Sequence, residues 1–294
     1  GSTLRGAFGH MFKKVVCALP NKDCSTCLLK EKCIYSYVFE TPPASDTQVM
    51  RKYKAAPHPF IIEPPPEKKR GYKPGDGVSF GLTLIGRAID YLPYFIYTFD
   101  ELGKAGLGRG RGRYELKEVR SRTHEPAGNN NSLMYTSETK TLKAFTPQTL
   151  AFNTEISDCS NPGTELLTLS FLTPTRITYN GSLAVDLEFH VLIRQLLRRL
   201  SLLSYFHCGI DIAGWDFKGM IEAAKTINVK EKNLIWHDWE RYSNRQETRM
   251  KMGGFVGDIT FEGNLQPFIP LIKAGEIVHI GKGTGFGLGK FLIR

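Results

Sequence analysis

The stretch HIGKGTGFGLGKFLIR, residues 279–294, places glycine at alternate positions from Gly281 to Gly289 and then runs into a short apolar segment. Just before it, FIPLIKAG (268–275) has the composition of a helix end. The same succession occurs half a chain earlier. LGKAG (102–106) closes a helical pattern, Gly106, Gly108, Gly110 and Gly112 follow, and RYELKEVRS (113–121) alternates as a strand does. Helix, glycine loop and strand, repeated at half-chain spacing, form an internal repeat and predict two similar domains.

Working outward from that repeat, the second half gives a strand at ELLTLSFLTP (165–174), a turn at YNG (179–181) and a helix over about 188–206. The strands NLIWHDWERYS (233–243) and GGFVGDITFEG (253–263) follow, and then a helix from Leu265. The order is β-α-β-β-α-β. The first half begins with an amphipathic helix. Leu4, Phe8, Met11, Phe12 and Val15 lie on one face, with Arg5, His10, Lys13 and Lys14 on the other. Strands at HPFIIEP (58–64) and VSFGLTLIG (78–86) and a helix over 89–106 complete an α-β-β-α-β order. The fold class expected is α+β, with two tandem ferredoxin-like (βαββαβ, RRM-like) domains, the first lacking its opening strand. The expected boundaries are 1–123 for the first domain, with a Cys-rich insertion at 17–33, 124–160 for a polar connector, and 161–294 for the second domain.

Thirty-nine Lys and Arg against 29 Asp and Glu give a net charge of +10, which suits a polyanionic partner such as nucleic acid. No apolar run approaches a membrane span and no leader is visible, so a cytoplasmic location with no membrane partner is expected. Neither glycine loop fits a dinucleotide or P-loop pattern, and no metalloprotease or serine-hydrolase motif is present. Alternate glycines leave backbone N–H groups open to phosphate. On this ground Lys282, Gly283, Gly285, Gly287 and Lys290 are candidate RNA contacts, although glycines needed only for tight packing would look the same. In the helix after position 188, His190, Arg194 and Arg198 step by four on the face opposite Leu192, Ile193, Leu196, Leu200 and Leu203. Such a row suits a phosphate backbone, or simply a solvated face. Arg241 and Arg245, near Tyr242 and Trp239, suit a single RNA strand.

Cys17, Cys24, Cys27 and Cys33 have the spacing C-x6-C-x2-C-x5-C. A tetrahedral thiolate site is within reach, with zinc the expected structural ion, an iron–sulfur cluster an alternative, and unmetallated thiols the plain reading. His10 sits one turn from Lys13 and Lys14. Its imidazole can take a proton from a ribose hydroxyl, and a lysine can stabilise charge on the phosphate. His279, beside the glycine loop, is the next candidate.

The pieces GSTLRGAFGH, CIYSYVFE, GLGRGRGRYELKEV, SFLTPTRITYNG, LIRQLLRRLSLLSYFH, WERYSNRQETRMKMGGFVGDITFEG and HIGKGTGFGLGKFL resemble the CRISPR pre-crRNA-processing endoribonucleases of the RAMP superfamily. The resemblance implies two tandem ferredoxin-like domains. It also implies metal-independent cleavage within the repeat of a CRISPR transcript: a 2′-hydroxyl attacks the adjacent phosphodiester, leaving a 2′,3′-cyclic phosphate and a 5′-hydroxyl. No cofactor is implied for catalysis. Repeat RNA, as hairpin or single strand, is the implied partner, and other CRISPR effector subunits are further partners. By position, the family's variable active site falls on His10, with Lys13, Lys14, Tyr35 and Tyr37 as helpers. A non-catalytic RNA-binding subunit of a CRISPR ribonucleoprotein is the alternative.

Overall fold

The computed structural model describes residues 1–19, 23–43, 47, 55–65, 69, 71–108, 110–122, 131–152, 164–184, 186–238, 240–243 and 248–294. They group into two compact units. One comprises residues 60–83 and 151–294 with Gly1, and the other residues 2–59 and 84–150.

The larger unit is built on a four-stranded antiparallel sheet. Its strands are β5 (Glu165–Thr175), β8 (Asn228–His237), β11 (Gly254–Gly263) and β12 (Phe291–Ile293), in the spatial order β12-β5-β11-β8. With the helices α3 (Phe189–Cys208) and α5 (Ile269–Val278) between them, the chain order is β5-α3-β8-β11-α5-β12, as expected for a ferredoxin-like domain. Alternation decides which face is covered. Leu167, Leu169 and Phe171 of β5 are buried, while Leu166 and Leu172 are exposed. The inward residues of α3 expected from sequence, Leu192, Ile193, Leu196, Leu200 and Leu203, are all buried. Phe189 at the start of α3 packs edge-on against Phe261 and Phe268, with ring centroids 4.9 and 5.1 Å away. Gly275 of α5 admits Leu196, whose Cδ2 would stand 2.5 Å from any Cβ placed there. Gly209, with φ of 68°, ends α3 in the left-handed conformation that helix termination favours.

Three features add to the sequence expectation, the first of them at the expected YNG turn. A short hairpin, β6 (Thr178–Tyr179) with β7 (Ser182–Leu183), turns through Asn180 and Gly181, both at positive φ, as an Asn-Gly pair does. A small helix α4 (Phe217–Ala224) is capped by Asp216, whose carboxylate accepts from the Gly219 N–H at 2.8 Å. The β8–β11 ladder continues past Asp238 as a second ladder, β9 (Glu240–Ser243) with β10 (Thr248–Lys251).

The smaller unit is held by aromatic rings. Helices α1 (Ser2–Val16) and α2 (Leu92–Ala105) pack through Phe8, Phe12, Phe95 and Phe99, with the Phe8–Phe99 centroids 4.5 Å apart. Phe39, in a π-helical turn at Ser36–Glu40, joins the cluster at 5.9 Å from Phe8, over Gly9. Truncating one such buried ring costs about 3–5 kcal/mol. Pro93 sits in the first turn of α2, where its missing N–H is harmless. After α2 a tight loop closes with a Leu107–Gly112 bridge and leads to β3 (Glu118–Arg120). The helix, glycine loop and strand read from the sequence thus occur in both halves. β3 pairs with β4 (Leu133–Thr136), a strand inside the stretch expected to be a connector. The remaining strands, β1 (Phe60–Glu63) and β2 (Gly81–Leu84), pair with each other.

Among the described residues, no helix is long and apolar enough to cross a membrane.

Candidate nucleic-acid interface

The glycine loop is where sequence and structure differ most. Thr284–Phe286 form a 3-10 turn, and Gly281, Gly283, Gly287 and Gly289 all take positive φ between 72° and 80°. Most of the loop is buried against its own unit. A Cβ on Gly289 would collide with the Ile280 carbonyl oxygen, and one on Gly287 would lie 2.7 Å from Pro64 Cδ. The alternate glycines are thus explained by tight turns packed on protein, the plainer of the two sequence readings. Gly285 and Gly287 are buried, and Lys282 remains exposed.

Lys290 also differs from expectation. Its ammonium pairs with Glu63 at the end of β1. His279, fully buried, places Nδ1 3.1 Å from the Leu288 carbonyl oxygen and Nε2 3.5 Å from Glu63 Oε1. The latter distance is too long for a full hydrogen bond, so the Lys290 pair is the firmer contact. His279 and Lys290 together hold the Glu63 carboxyl down to about 2, against the opposing effect of burial. Glu63 was not expected from sequence. The visible signal was a lone acid ending an apolar strand in a basic chain, but its partners are far away along the sequence.

Helix α3 presents Arg194 and Arg198 outward, as expected. The Arg194 guanidinium lies 5.7 Å from the Tyr179 ring centroid. His190 does not join the row as a phosphate contact, because its ring nitrogens face Glu188 at 3.3 Å and the Tyr179 hydroxyl at 3.4 Å. Arg199 turns inward instead. Its Nε donates to the Val278 carbonyl at 2.7 Å, the C-terminal end of α5, and burial lowers its pKa to about 10. Arg241 lies on β9, and nothing is described of its side chain; Arg245 lies outside the described residues.

In the smaller unit, His10 and Lys14 are exposed on one face of α1. Lys13 turns elsewhere: its ammonium is 5.5 Å from the Tyr35 ring centroid and within hydrogen-bonding reach of the Cys24 thiol. Tyr35 stacks on Phe39 at 5.4 Å. Tyr37 lies under Arg87, whose guanidinium carbon is 4.2 Å from the ring centroid. Lys13 and Tyr35 are therefore brought together, while Tyr37 belongs to a separate contact. Cys17, Cys24, Cys27 and Cys33 are half-buried free thiols, and among the described residues no three metal-type ligands are gathered to hold an ion.

An antiparallel sheet in the order 4-1-3-2, two covering helices and a glycine turn before the last strand define a ferredoxin-like protein with an arginine-bearing helix. Residues 1–147 match the family described as AF_1859_N, N-terminal domain, and residues 169–291 match the family described as CRISPR-associated endoribonuclease Cas6. A Cas6 product complex superposes with a TM-score of 0.54 at 16% identity, covering 99% of this chain and 91% of that one, which shows a shared fold. Thermus thermophilus Cas6 gives 0.48 at 15% identity, covering 99% of this chain and 89% of that one. An uncharacterized protein of Archaeoglobus fulgidus is 27% identical over 119 residues, 40% of this chain and 39% of that protein, so the match spans about two fifths of that relative. The chain belongs to the family described as AF_1859_N, N-terminal domain, whose model matches half of it, and residues 169–291 are similar to the CRISPR-associated endoribonuclease Cas6.

Proposed function

We propose that the chain processes CRISPR precursor RNA by cutting within the repeat without a metal ion. The match of residues 169–291 to the Cas6 family, on a ferredoxin-like sheet that carries an exposed arginine helix, is the observation that carries this reading. The ribose 2′-oxygen bonds to the adjacent phosphorus, the P–O5′ bond breaks, and a 2′,3′-cyclic phosphate and a 5′-hydroxyl result. The 2′-hydroxyl proton goes to a base and the leaving 5′-oxygen takes one from an acid. His10 supplies one of these roles from its exposed position on α1. Lys14, one turn on, offsets the charge on the non-bridging oxygens, since Lys13 is engaged by Cys24 and Tyr35. Arg194, Arg198 and Lys282 hold the phosphate backbone.

Because Lys13, Tyr35 and Tyr37 all have other contacts, a second reading is that of an RNA-binding subunit without cleavage. One assay separates the two. Repeat RNA is incubated with the protein in EDTA, alongside the same RNA carrying a single 2′-deoxy nucleotide at the cut site. Cleavage of the first and not the second supports the enzyme. Tight binding with both RNAs intact supports the subunit, and cleavage of both overturns 2′-hydroxyl attack.

A further inference from the structure

The β6–β7 hairpin is too small to hold itself. Its ladder pairs Thr178 with Leu183 and Tyr179 with Ser182, and an isolated two-stranded hairpin is marginal in water. Contacts to the core and to α3 fix it instead. Ile177, just before β6, is buried. The Gln195 side chain donates from Nε2 to the Thr178 carbonyl at 3.0 Å. His190 meets Tyr179 twice, with Nε2 3.4 Å from the phenol oxygen and the two rings edge to face, their centroids 5.6 Å apart. The hairpin is thereby held with the Tyr179 ring half-buried beside α3 and the Asn180–Gly181 turn exposed next to it.

The charges around this ring are unevenly matched. Glu188 directs its carboxylate to His190 Nδ1 at 3.3 Å. Glu222 of α4 is close enough to the same imidazole to feel its charge, and pairs with Lys225 at 2.8 Å. Both acids thus answer His190 and Lys225. Among the described residues Arg194 pairs with no carboxylate; its exposed guanidinium lies over the Tyr179 ring, 5.7 Å from the centroid. A guanidinium and a half-open phenol ring, side by side on a fixed element, present a donor fork for a phosphate and a flat surface for a base.

We propose that Tyr179 and Arg194 form a subsite for one unpaired nucleotide of RNA, the base stacking on the Tyr179 ring and a neighbouring phosphate bonding the Arg194 guanidinium. His190, oriented by Glu188, is a positioning residue that holds the phenol oxygen and with it the ring. The subsite rests on the RNA-binding reading above and is indifferent to whether the RNA is cut. It adds a base contact to a helix whose charge pattern by itself accounts for phosphate contacts alone. A docked protein would also use an exposed tyrosine, but an uncompensated guanidinium against the ring, in a chain of net charge +10, complements a polyanion.

The probes are a fluorescein-labelled oligouridylate and an abasic ribose-phosphate strand of the same length, each titrated with the full chain and read by anisotropy. Tyr179→Ala should weaken oligouridylate binding about 5- to 150-fold, the range for one stacked base, and leave the abasic strand within about twofold of wild type. Arg194→Ala should weaken both strands and make the salt slope shallower by roughly 0.7. His190→Ala should weaken oligouridylate binding, yet add nothing in the Tyr179→Ala background, and His190→Gln, which keeps a donor for the phenol oxygen, should recover most of the loss. Wild type that binds neither strand overturns the RNA reading and the subsite with it. Wild type that binds both strands, with a Tyr179→Ala variant that loses nothing or loses equally on the abasic strand, overturns the subsite alone. Should Tyr179→Ala fail to fold, the unaltered chain irradiated with oligouridylate carrying 5-iodouridine decides the matter. Mass spectrometry should then find the crosslink on Tyr179, and crosslinks confined to other residues would overturn the subsite.

Discussion

Glu63 ends β1 with its carboxylate against Lys290 and near buried His279, and this contact fixes the glycine loop to the strand. Because its pKa is lowered from 4.5 to about 2 in the folded chain, its contribution to stability is fully present above pH 4.5. It is lost as the pH falls from there towards 2. With solvent still reaching the group, the contribution is on the order of 1–3 kcal/mol. Urea titrations from pH 7 to pH 2.5 should show the wild type losing this amount, and Glu63→Gln should flatten that part of the profile. An unchanged profile in the variant would mean that other carboxylates dominate acid unfolding. His10 makes a separate prediction on activity. His10→Ala should keep RNA affinity and slow single-turnover cleavage at least ~100-fold, the low end of general acid–base contributions. A full rate in the variant would remove His10 from the chemistry.

At the scale of elements, α3 shows two faces with different consequences. Leu196→Ala on the inner face should cost about 2–5 kcal/mol of stability, read by denaturant midpoint, because its methyls fill the notch left by Gly275. Arg194→Ala with Arg198→Ala on the outer face should lower that midpoint far less than Leu196→Ala does, and should weaken RNA binding. The slope of log affinity against log salt should then become shallower by roughly 0.7 for each phosphate that the variant no longer neutralises. The 3.6-residue pattern made both faces of α3 legible in the sequence. The β5 and β11 strands were legible from alternation, and the helix–glycine–strand succession from its repetition. The elements that escaped are short, α4 and β4 among them. α4 is only eight residues long, and β4 is four residues in a polar stretch. The glycine loop was legible as a loop, but its packing depends on Ile62, Glu63 and Pro64, which no local pattern links to Gly287. The same distance in sequence hid the partner of Lys290 and made that lysine look available to RNA.

At the scale of the whole molecule, the net charge of +10 overstates what a bound RNA meets at any one site. Several cations are already committed: Lys104 to Asp100 and Glu101, Lys230 to Glu262, Arg120 to Glu118, Lys290 to Glu63, with Arg199 buried at the end of α5. Exposed cations include Arg194, Lys282 and Lys14. On the proposed function, the net positive charge gives a long-range attraction for any RNA, and specificity for a repeat comes from fewer, closer contacts. Two RNAs of equal length, one a CRISPR repeat and one scrambled, should therefore respond alike to salt. If about five phosphates are neutralised in each, log affinity should fall by roughly 3.5 per tenfold rise in salt, and the gap between the two RNAs should stay nearly constant. Fluorescence anisotropy from about 50 to about 500 mM salt would measure both slopes. A gap that closes as salt rises would place the discrimination in phosphate contacts, and the division of labour between the charged surface and the close contacts would then have to be abandoned.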